Sequence, residues 1–522
     1  MIARWHSLAI SGIEALSVVV EVDIGPGLPG TRFVGLPNTA LRESRDRIRS
    51  AIRNCGFRYP DRRVLVNLAP ADLRKEGPSF DLAIALGVLL ASRQLRGPDP
   101  SRFVVLGELG LEGDVRPVRG ALVAARALAL TGTDRVLVVP EENVADVESV
   151  AGLHFLPVPR LNSAVAALGD SPGTVRIRVG APRPEESGAL PCDPDPGAYP
   201  TCPVVAGQAM GKRAVDIAVA GGHHLFLVGP PGSGKTLLAR RLAALHPPLD
   251  ERASLEVRMI HGLRSARPLA LPRRPPMRAP HHTVSPAALI GGGNPVLPGE
   301  ITLAHRGVLF LDELGEFPAR LLETLRQPVE ERSVRISRSG QTVDFPAAFL
   351  LVAAMNPCPC GHHGAGRRRC ACTEGQIRRY RSRVSGPLLD RFDMQLEVPP
   401  VGAGELAGGR VDLREADARA VSASRRAIRD ARSRQAERYA GQAWSLNGYV
   451  EGGLLDRFLP MEPGAARWLA RGATTLGLSG RSIHRVRRVA RTIADLGGSD
   501  AIGSEHVREA LQFRFRPNEG LC

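Results

Sequence analysis

The string Gly229-Pro230-Pro231-Gly232-Ser233-Gly234-Lys235-Thr236 has the spacing of a loop that wraps phosphate oxygens. It directly follows the apolar run Leu225 to Val228 and opens the helix-like segment Leu237 to Leu245. In that context glycines let backbone N–H groups close around the anion, and the helix N-terminus adds partial positive charge. Lys235 then reaches the β and γ phosphates and Thr236 ligates Mg²⁺, which makes this a site for a nucleoside triphosphate. Lys235 is one of only three lysines, with Lys75 and Lys212, among 69 cationic residues. A compact ammonium therefore stands here in a chain that otherwise uses guanidinium.

Two more apolar runs end in polar side chains. Val308 to Leu311 delivers Asp312 and Glu313, placed to hold Mg²⁺ through water and to orient or deprotonate an attacking water. Phe349 to Ala354 delivers Asn356, an uncharged candidate sensor expected between the acid-bearing and phosphate-bearing strands. Directly after it come Cys358-Pro-Cys360 and, after nine intervening residues, Cys370-Ala-Cys372. Four thiolates in two pairs suit a structural tetrahedral Zn²⁺, with Arg367 to Arg369 expected to lower the thiol pKa values. The C-x-C spacing is tight, so His362 or His363 is an alternative ligand, and reduced thiols or a redox pair are the alternatives to metal.

The elements that position these groups are read from periodicity and composition. At 522 residues, 43% hydrophobic and 23% charged, the chain is globular and too large for one core. Residues 1–170 alternate strand-like runs (Ser17 to Val22, Arg63 to Asn67, Phe103 to Leu106, Val136 to Val139) with helix-like ones, an α/β domain. Prolines crowd residues 171–203, which reads as an extended linker. Residues 204–400 form a second α/β unit with a parallel sheet, and residues 401–522 a helical domain. The net charge of +16 keeps nucleic acid among the partners, although arginine bias accounts for part of it. Its densest groups are Arg378 to Arg383 and Arg485 with Arg487, Arg488 and Arg491, candidates for phosphate-backbone contact. The longest clean apolar run, Leu82 to Ala91, is too short to span a membrane, and the N-terminus lacks a compact signal-peptide core. The expectation is a cytoplasmic protein.

These motifs, in this order, resemble the magnesium-chelatase-like family of AAA+ ATPases, of the YifB and ComM type. The resemblance is carried by Arg278-Ala-Pro-His-His-Thr283, by the segment Pro298 to Leu314, by Ala354-Met-Asn-Pro-Cys-Pro-Cys-Gly361 and by Ser385-Gly-Pro-Leu-Leu-Asp-Arg-Phe-Asp393, and extends over nearly the whole chain. It implies that Arg391 is an arginine finger acting on a neighbouring subunit of a hexamer. It makes Arg481 a second sensor, with Arg485 as a competitor, and Gly207-Gln208 part of the adenine pocket. The segment Val334 to Val343, a hairpin turning at Ser339-Gly340, and the segment His281 to Gly293 resemble substrate-facing insertions. Their DNA-facing candidates are Arg335, Arg338, His281 and His282.

Residues 1–170 resemble a Lon-protease-like domain through Asn67 to Pro70, Lys75 to Asp81 and Leu106 to Pro117. Ser79 falls at the nucleophile's place. No lysine follows where a Ser-Lys pair needs one, the segment reading Arg119-Gly-Ala-Leu-Val123, so peptidase chemistry is not expected. The function implied is an ATP-hydrolysing hexameric motor on single-stranded or branched DNA, a helicase driving branch migration during natural transformation. The alternatives are a chelatase-like remodeller of a protein or metal-insertion partner, and an ATP-dependent Lon-like protease.

Overall fold

A computed structural model describes residues 2–34, 39–70, 77–97, 99–169, 177–181, 202–266, 273–338, 341–364, 368–402 and 410–514. The N-terminal sheet is built from β1 (Ile2–Ser11), β2 (Glu14–Gly25), β3 (Gly30–Val34), β4 (Arg63–Ala69) and β5 (Phe103–Val105). After a short ribbon of β6 (Glu108–Leu109) and β7 (Val115–Arg116), it is completed by β8 (Val136–Pro140), β9 (His154–Val158) and β10 (Arg178–Val179). Its order is β10-β9-β8-β5-β1-β2-β4-β3. Strand β1 escapes the sequence reading because Arg4 and His6 interrupt it, yet it alternates faces: Ala3 and Trp5 are buried while Arg4 reaches outward to Glu21. Strand β10 corrects the linker expectation, since Arg178 and Val179 pair with β9 inside it. Residues 171–176 and 182–201 of that linker lie outside the described residues, as does Lys75.

The second sheet holds β11 (Leu225–Val228), β12 (Met277–Arg278), β15 (Val308–Leu311), β18 (Leu350–Met355) and β19 (Met394–Glu397), all parallel, in the order β12-β15-β18-β11-β19. Its three central strands are apolar at every position because both faces are covered. Leu225, Val308, Phe310, Val352 and Ala354 pack with the C-terminal helices, including Gly480–Gly497. Phe226, Leu309, Leu311, Leu351 and Ala353 pack toward the N-terminal unit. There Arg258, almost fully buried, donates to the Ala145 carbonyl at 2.8 Å and to Ser149 Oγ at 2.9 Å. Between these strands lie the ribbon of β13 (Gly291–Gly292) with β14 (Leu297–Pro298) and the hairpin of β16 (Ser333–Arg338) with β17 (Gln341–Pro346). No helix among the described residues is long and apolar enough to cross a membrane.

Buried histidines join the sheet to the helical domain. His223 Nε2 lies 2.7 Å from Thr492 Oγ1, and His224 Nδ1 accepts the Leu351 N–H at 3.0 Å, which fixes His224 as neutral. Burial pushes both down to about 4 against the opposing pull of Asp393, and His246 down to about 3. With folded values below the unfolded 6.5, the unfolded chain binds more protons between pH 6.5 and 4, so stability is full above pH 6.5 and declines below it. Each histidine contributes roughly 1.4 kcal/mol per pH unit in that window. Thermal unfolding of the full chain is expected to shift to lower temperature between pH 7 and pH 5, with a shallower dependence in His223→Gln. Identical profiles for the two proteins would show that His223 is not held neutral.

Candidate active site

Phosphate-binding geometry starts at the C-terminal end of β11. Gly234, with φ +93°, is the left-handed residue that turns the loop into the helix Lys235–Leu245. Lys235 is 8% exposed, and its ammonium donates to the carbonyls of Gly229 (2.7 Å) and Pro230 (2.9 Å) and to Asn356 Oδ1 (3.2 Å). Burial lowers its pKa to about 8, against the pull of Asp312 and Glu313. Asn356 thus stands where expected: β18 lies between β11 and β15, and its end meets the loop lysine.

Strand β15 supplies the acids. Thr236 Oγ1 donates to Asp312 Oδ2 at 2.9 Å, so the two oxygens expected at Mg²⁺ converge. The other Asp312 oxygen accepts the Glu313 N–H at 2.9 Å. Glu313 itself has φ +52°, an unusual conformation for a side chain of this size, and is half exposed toward the site. Tyr380 packs on Gly315 beneath this turn, where a Cβ would come within 2.5 Å of its ring. That brace was not visible in the sequence.

The fourth contributor is a histidine. His282, expected at a DNA-facing insertion, follows β12, which pairs with β15. Its Nδ1 lies 3.6 Å from Glu313 Oε2, while its ring stacks on His281 and meets the edge of Phe317. The loop is pinned by Arg278, which grips both oxygens of Glu300 at 2.6 and 2.8 Å. His281, exposed, bonds Thr283 Oγ1.

Gly207 and Gln208 both take left-handed backbone conformations before the helix Ala209–Gly221. Gln208 Nε2 donates to the carbonyls of Ser233 and Pro399, tying the phosphate loop to the chain leaving β19. A cavity of about 480 Å³ lies here, lined by Val205, Gln208, the loop residues Pro230 to Gly234, Leu237, His362, Arg368 and Pro400. This size is ordinary for a small-molecule site.

Neither the expected finger Arg391 nor the expected second sensor Arg481 lines that cavity. Arg391 donates to the carbonyls of Arg326 and Pro387 and pairs with Glu330 at 3.0 Å. Arg481 is exposed at the first turn of Gly480–Gly497, in a cleft of about 600 Å³ shared with Glu330, Arg332, Arg485 and Arg488. Its competitor Arg485 is engaged internally, with the Arg391 carbonyl (2.7 Å) and Asp393 (3.0 Å). The second basic group is corrected in the same way: Arg487 pairs with Asp456 and Arg491 with Asp495, so their charge is satisfied by the fold. In the hairpin β16–β17, Arg335 pairs with Asp344, and Arg338 has no ion-pair partner among the described residues. The turn Ser339-Gly340 lies outside them.

All four cysteines converge, their sulfurs within 4.8 Å of one another. The Cys358–Cys360, Cys360–Cys370 and Cys358–Cys370 separations are 3.4, 3.5 and 3.7 Å. A tetrahedral ion with arms of about 2.3 Å needs sulfurs about 3.8 Å apart, so Cys358, Cys360, Cys370 and Cys372 fit zinc without a histidine ligand. Backbone N–H groups of His362 and Ala371 lower Cys360 to about 6, whereas, against a hydrogen bond from the Cys372 backbone, desolvation and the neighbouring thiols push Cys370 up to about 12; Arg367 lies outside the described residues. The N–H of His363 donates to Cys358 Sγ at 3.3 Å.

Comparison with known proteins agrees with this geometry. Residues 202–406 match the family described as magnesium chelatase, subunit ChlI, residues 20–143 the subunit ChlI of Mg-chelatase, and residues 419–514 its C-terminal region. Escherichia coli (strain K12) YifB is 41% identical over 98% of this chain and 96% of its own length. The competence protein ComM of Haemophilus influenzae is 39% identical over 98% and 97%. The magnesium-chelatase 38 kDa subunit of Cereibacter sphaeroides is 26% identical over 59% of this chain and 88% of its own.

Proposed function

Because the chain belongs to the magnesium-chelatase-like family of AAA+ ATPases, of the YifB and ComM type, we propose that it is an ATP-hydrolysing hexameric motor that moves on single-stranded or branched DNA and drives branch migration during natural transformation. The observation that carries the reading is the convergence of Lys235, Thr236, Asp312, Glu313 and Asn356 at adjacent strand ends. Backbone N–H groups of the loop and Lys235 bind the β and γ phosphates. Thr236 and Asp312 would hold Mg²⁺, which supplies charge neutralisation between phosphates when bound. Glu313 accepts the proton of the attacking water.

Hexamer formation is supported by Arg391, which lies outside the lining of its own subunit's cavity and would serve a neighbour's triphosphate. A zinc ion held by Cys358, Cys360, Cys370 and Cys372 would act as a structural brace, since four protein ligands fill its shell. DNA is supported by the competence name of a full-length relative and by exposed cations at Arg338, Arg378 and Arg379.

The test is the ATPase rate of the full chain against forks, four-way junctions, single strands, a porphyrin with Mg²⁺, and casein. Turnover is expected to rise several-fold with branched or single-stranded DNA, with binding that weakens steeply as salt increases. Stimulation by porphyrin alone would transfer the chain to the chelatase reading. ATP-dependent casein cleavage lost in Ser79→Ala would transfer it to the protease reading.

A further inference from the structure

The cysteine cluster does not stand apart from the phosphate loop. Gly361, the residue after Cys360, has φ +80°, and a Cβ on it would come within 2.5 Å of Pro231 Cδ and 3.9 Å of the Asn356 side chain. The cysteine loop is therefore pressed against the phosphate loop with no room for a side chain. The next residue, His362, lines the nucleotide-sized cavity while its backbone N–H is spent on the Cys360 sulfur. Across the same cavity stands Arg368. His362 lies two residues after Cys360 and Arg368 two before Cys370, so each cavity-facing side chain is anchored by a different cysteine pair.

With its sulfurs unlinked, this loop must pay the ordering entropy of both arms from its own few contacts. With one ion joining all four sulfurs, both arms are fixed by the same bond set. Arg368 and His362 then share the cavity lining with the phosphate loop Pro230 to Gly234, where a guanidinium suits a phosphate oxygen.

We propose that the four-cysteine cluster is the clasp of a nucleotide-contacting arm, in which bound metal holds Arg368 and His362 over the phosphate loop and so links metal occupancy to triphosphate affinity. This rests on the reading of that cavity as the ATP site. Linkage is reciprocal: if metal strengthens ATP binding, ATP must strengthen metal binding by the same free energy.

The experiment uses the full chain, zinc-loaded or treated with a chelator, and a fluorescent ATP analogue as probe. Removing zinc is expected to weaken analogue binding roughly tenfold, and saturating ATP to slow zinc transfer to a chromophoric chelator. Arg368→Ala separates clasp from fold. It is expected to keep a full complement of zinc, to bind the analogue roughly tenfold more weakly and to lose much of the ATP effect on zinc release. Unchanged affinity in Arg368→Ala together with ATP-independent zinc release, in a protein whose unsubstituted form binds ATP, would overturn the clasp and leave the ATPase reading standing. Failure of the zinc-loaded, unsubstituted chain to bind the analogue would overturn both.

Discussion

Glu313→Gln is expected to lower ATP turnover by about 10²–10³-fold while leaving ATP affinity within a factor of about two. The amide keeps the size and polarity of the side chain but cannot accept the proton of the attacking water. Binding depends on Lys235, the loop amides and the Thr236–Asp312 pair, none of which loses a partner in the substitution. The geometry of the site adds an internal control. His282 Nδ1, 3.6 Å from Glu313 Oε2, acts only through that carboxylate, so His282→Ala is expected to reduce kcat by about tenfold with KM little changed. It should have little further effect when added to Glu313→Gln, because the group it positions is already gone. Turnover of Glu313→Gln near the unsubstituted rate would assign the base to another residue. Additive losses in the double variant would give His282 a role independent of Glu313.

The parts of this site readable from sequence are those whose neighbours lie close in the chain. The phosphate loop is a contiguous string, and the strands delivering Val228, Leu311 and Met355 are recognisable because burial on both faces leaves them unbroken by polar residues. The cysteine quartet falls within fifteen residues. The position of His282 depends instead on sheet order. It follows β12, a strand of only two residues after a proline-rich segment, too short to show any period. The usable signal was architectural: once β12 is placed beside β15, the loops after both must meet at the same end of the sheet. Strand β19 was missed because Met394 and Leu396 alternate with Gln395 and Glu397 at the sheet's edge. The arginines failed differently. Composition marks Arg485, Arg487 and Arg491 as a basic cluster, but their partners Asp393, Asp456 and Asp495 are up to 92 residues away or on the helix's inner face, where local reading does not find them.

Arg391 poses the sharper mechanistic question, because its side chain folds onto its own subunit. It gives up two carbonyl contacts and the exposed Glu330 carboxylate if it is to reach a neighbouring triphosphate. Hydrogen bonds from a guanidinium to carbonyls stabilise by about 1.5–3 kcal/mol each and a half-exposed ion pair by about 1 kcal/mol or less, which a phosphoryl group carrying developing charge can outcompete. Arg391→Ala is therefore expected to cut turnover by about 10³-fold or more while ATP binding to each subunit persists. The Arg485 contact with the Arg391 carbonyl is a backbone contact and survives the substitution, so the finger loop keeps its tie to the helix Gly480–Gly497. Mixing decides between a local and a trans role. Arg391→Ala subunits retain an intact Glu313, and Glu313→Gln subunits retain an intact Arg391, so mixed rings of the proposed kind would contain seams where both groups are present. Mixtures of the two inactive proteins are expected to recover part of the unsubstituted ATPase rate, highest near equal proportions. Recovery also shows that Arg391→Ala is folded. If mixtures stay as inactive as their components while size measurements confirm that the subunits exchange, Arg391 acts within its own chain and the seam is not where hydrolysis is completed.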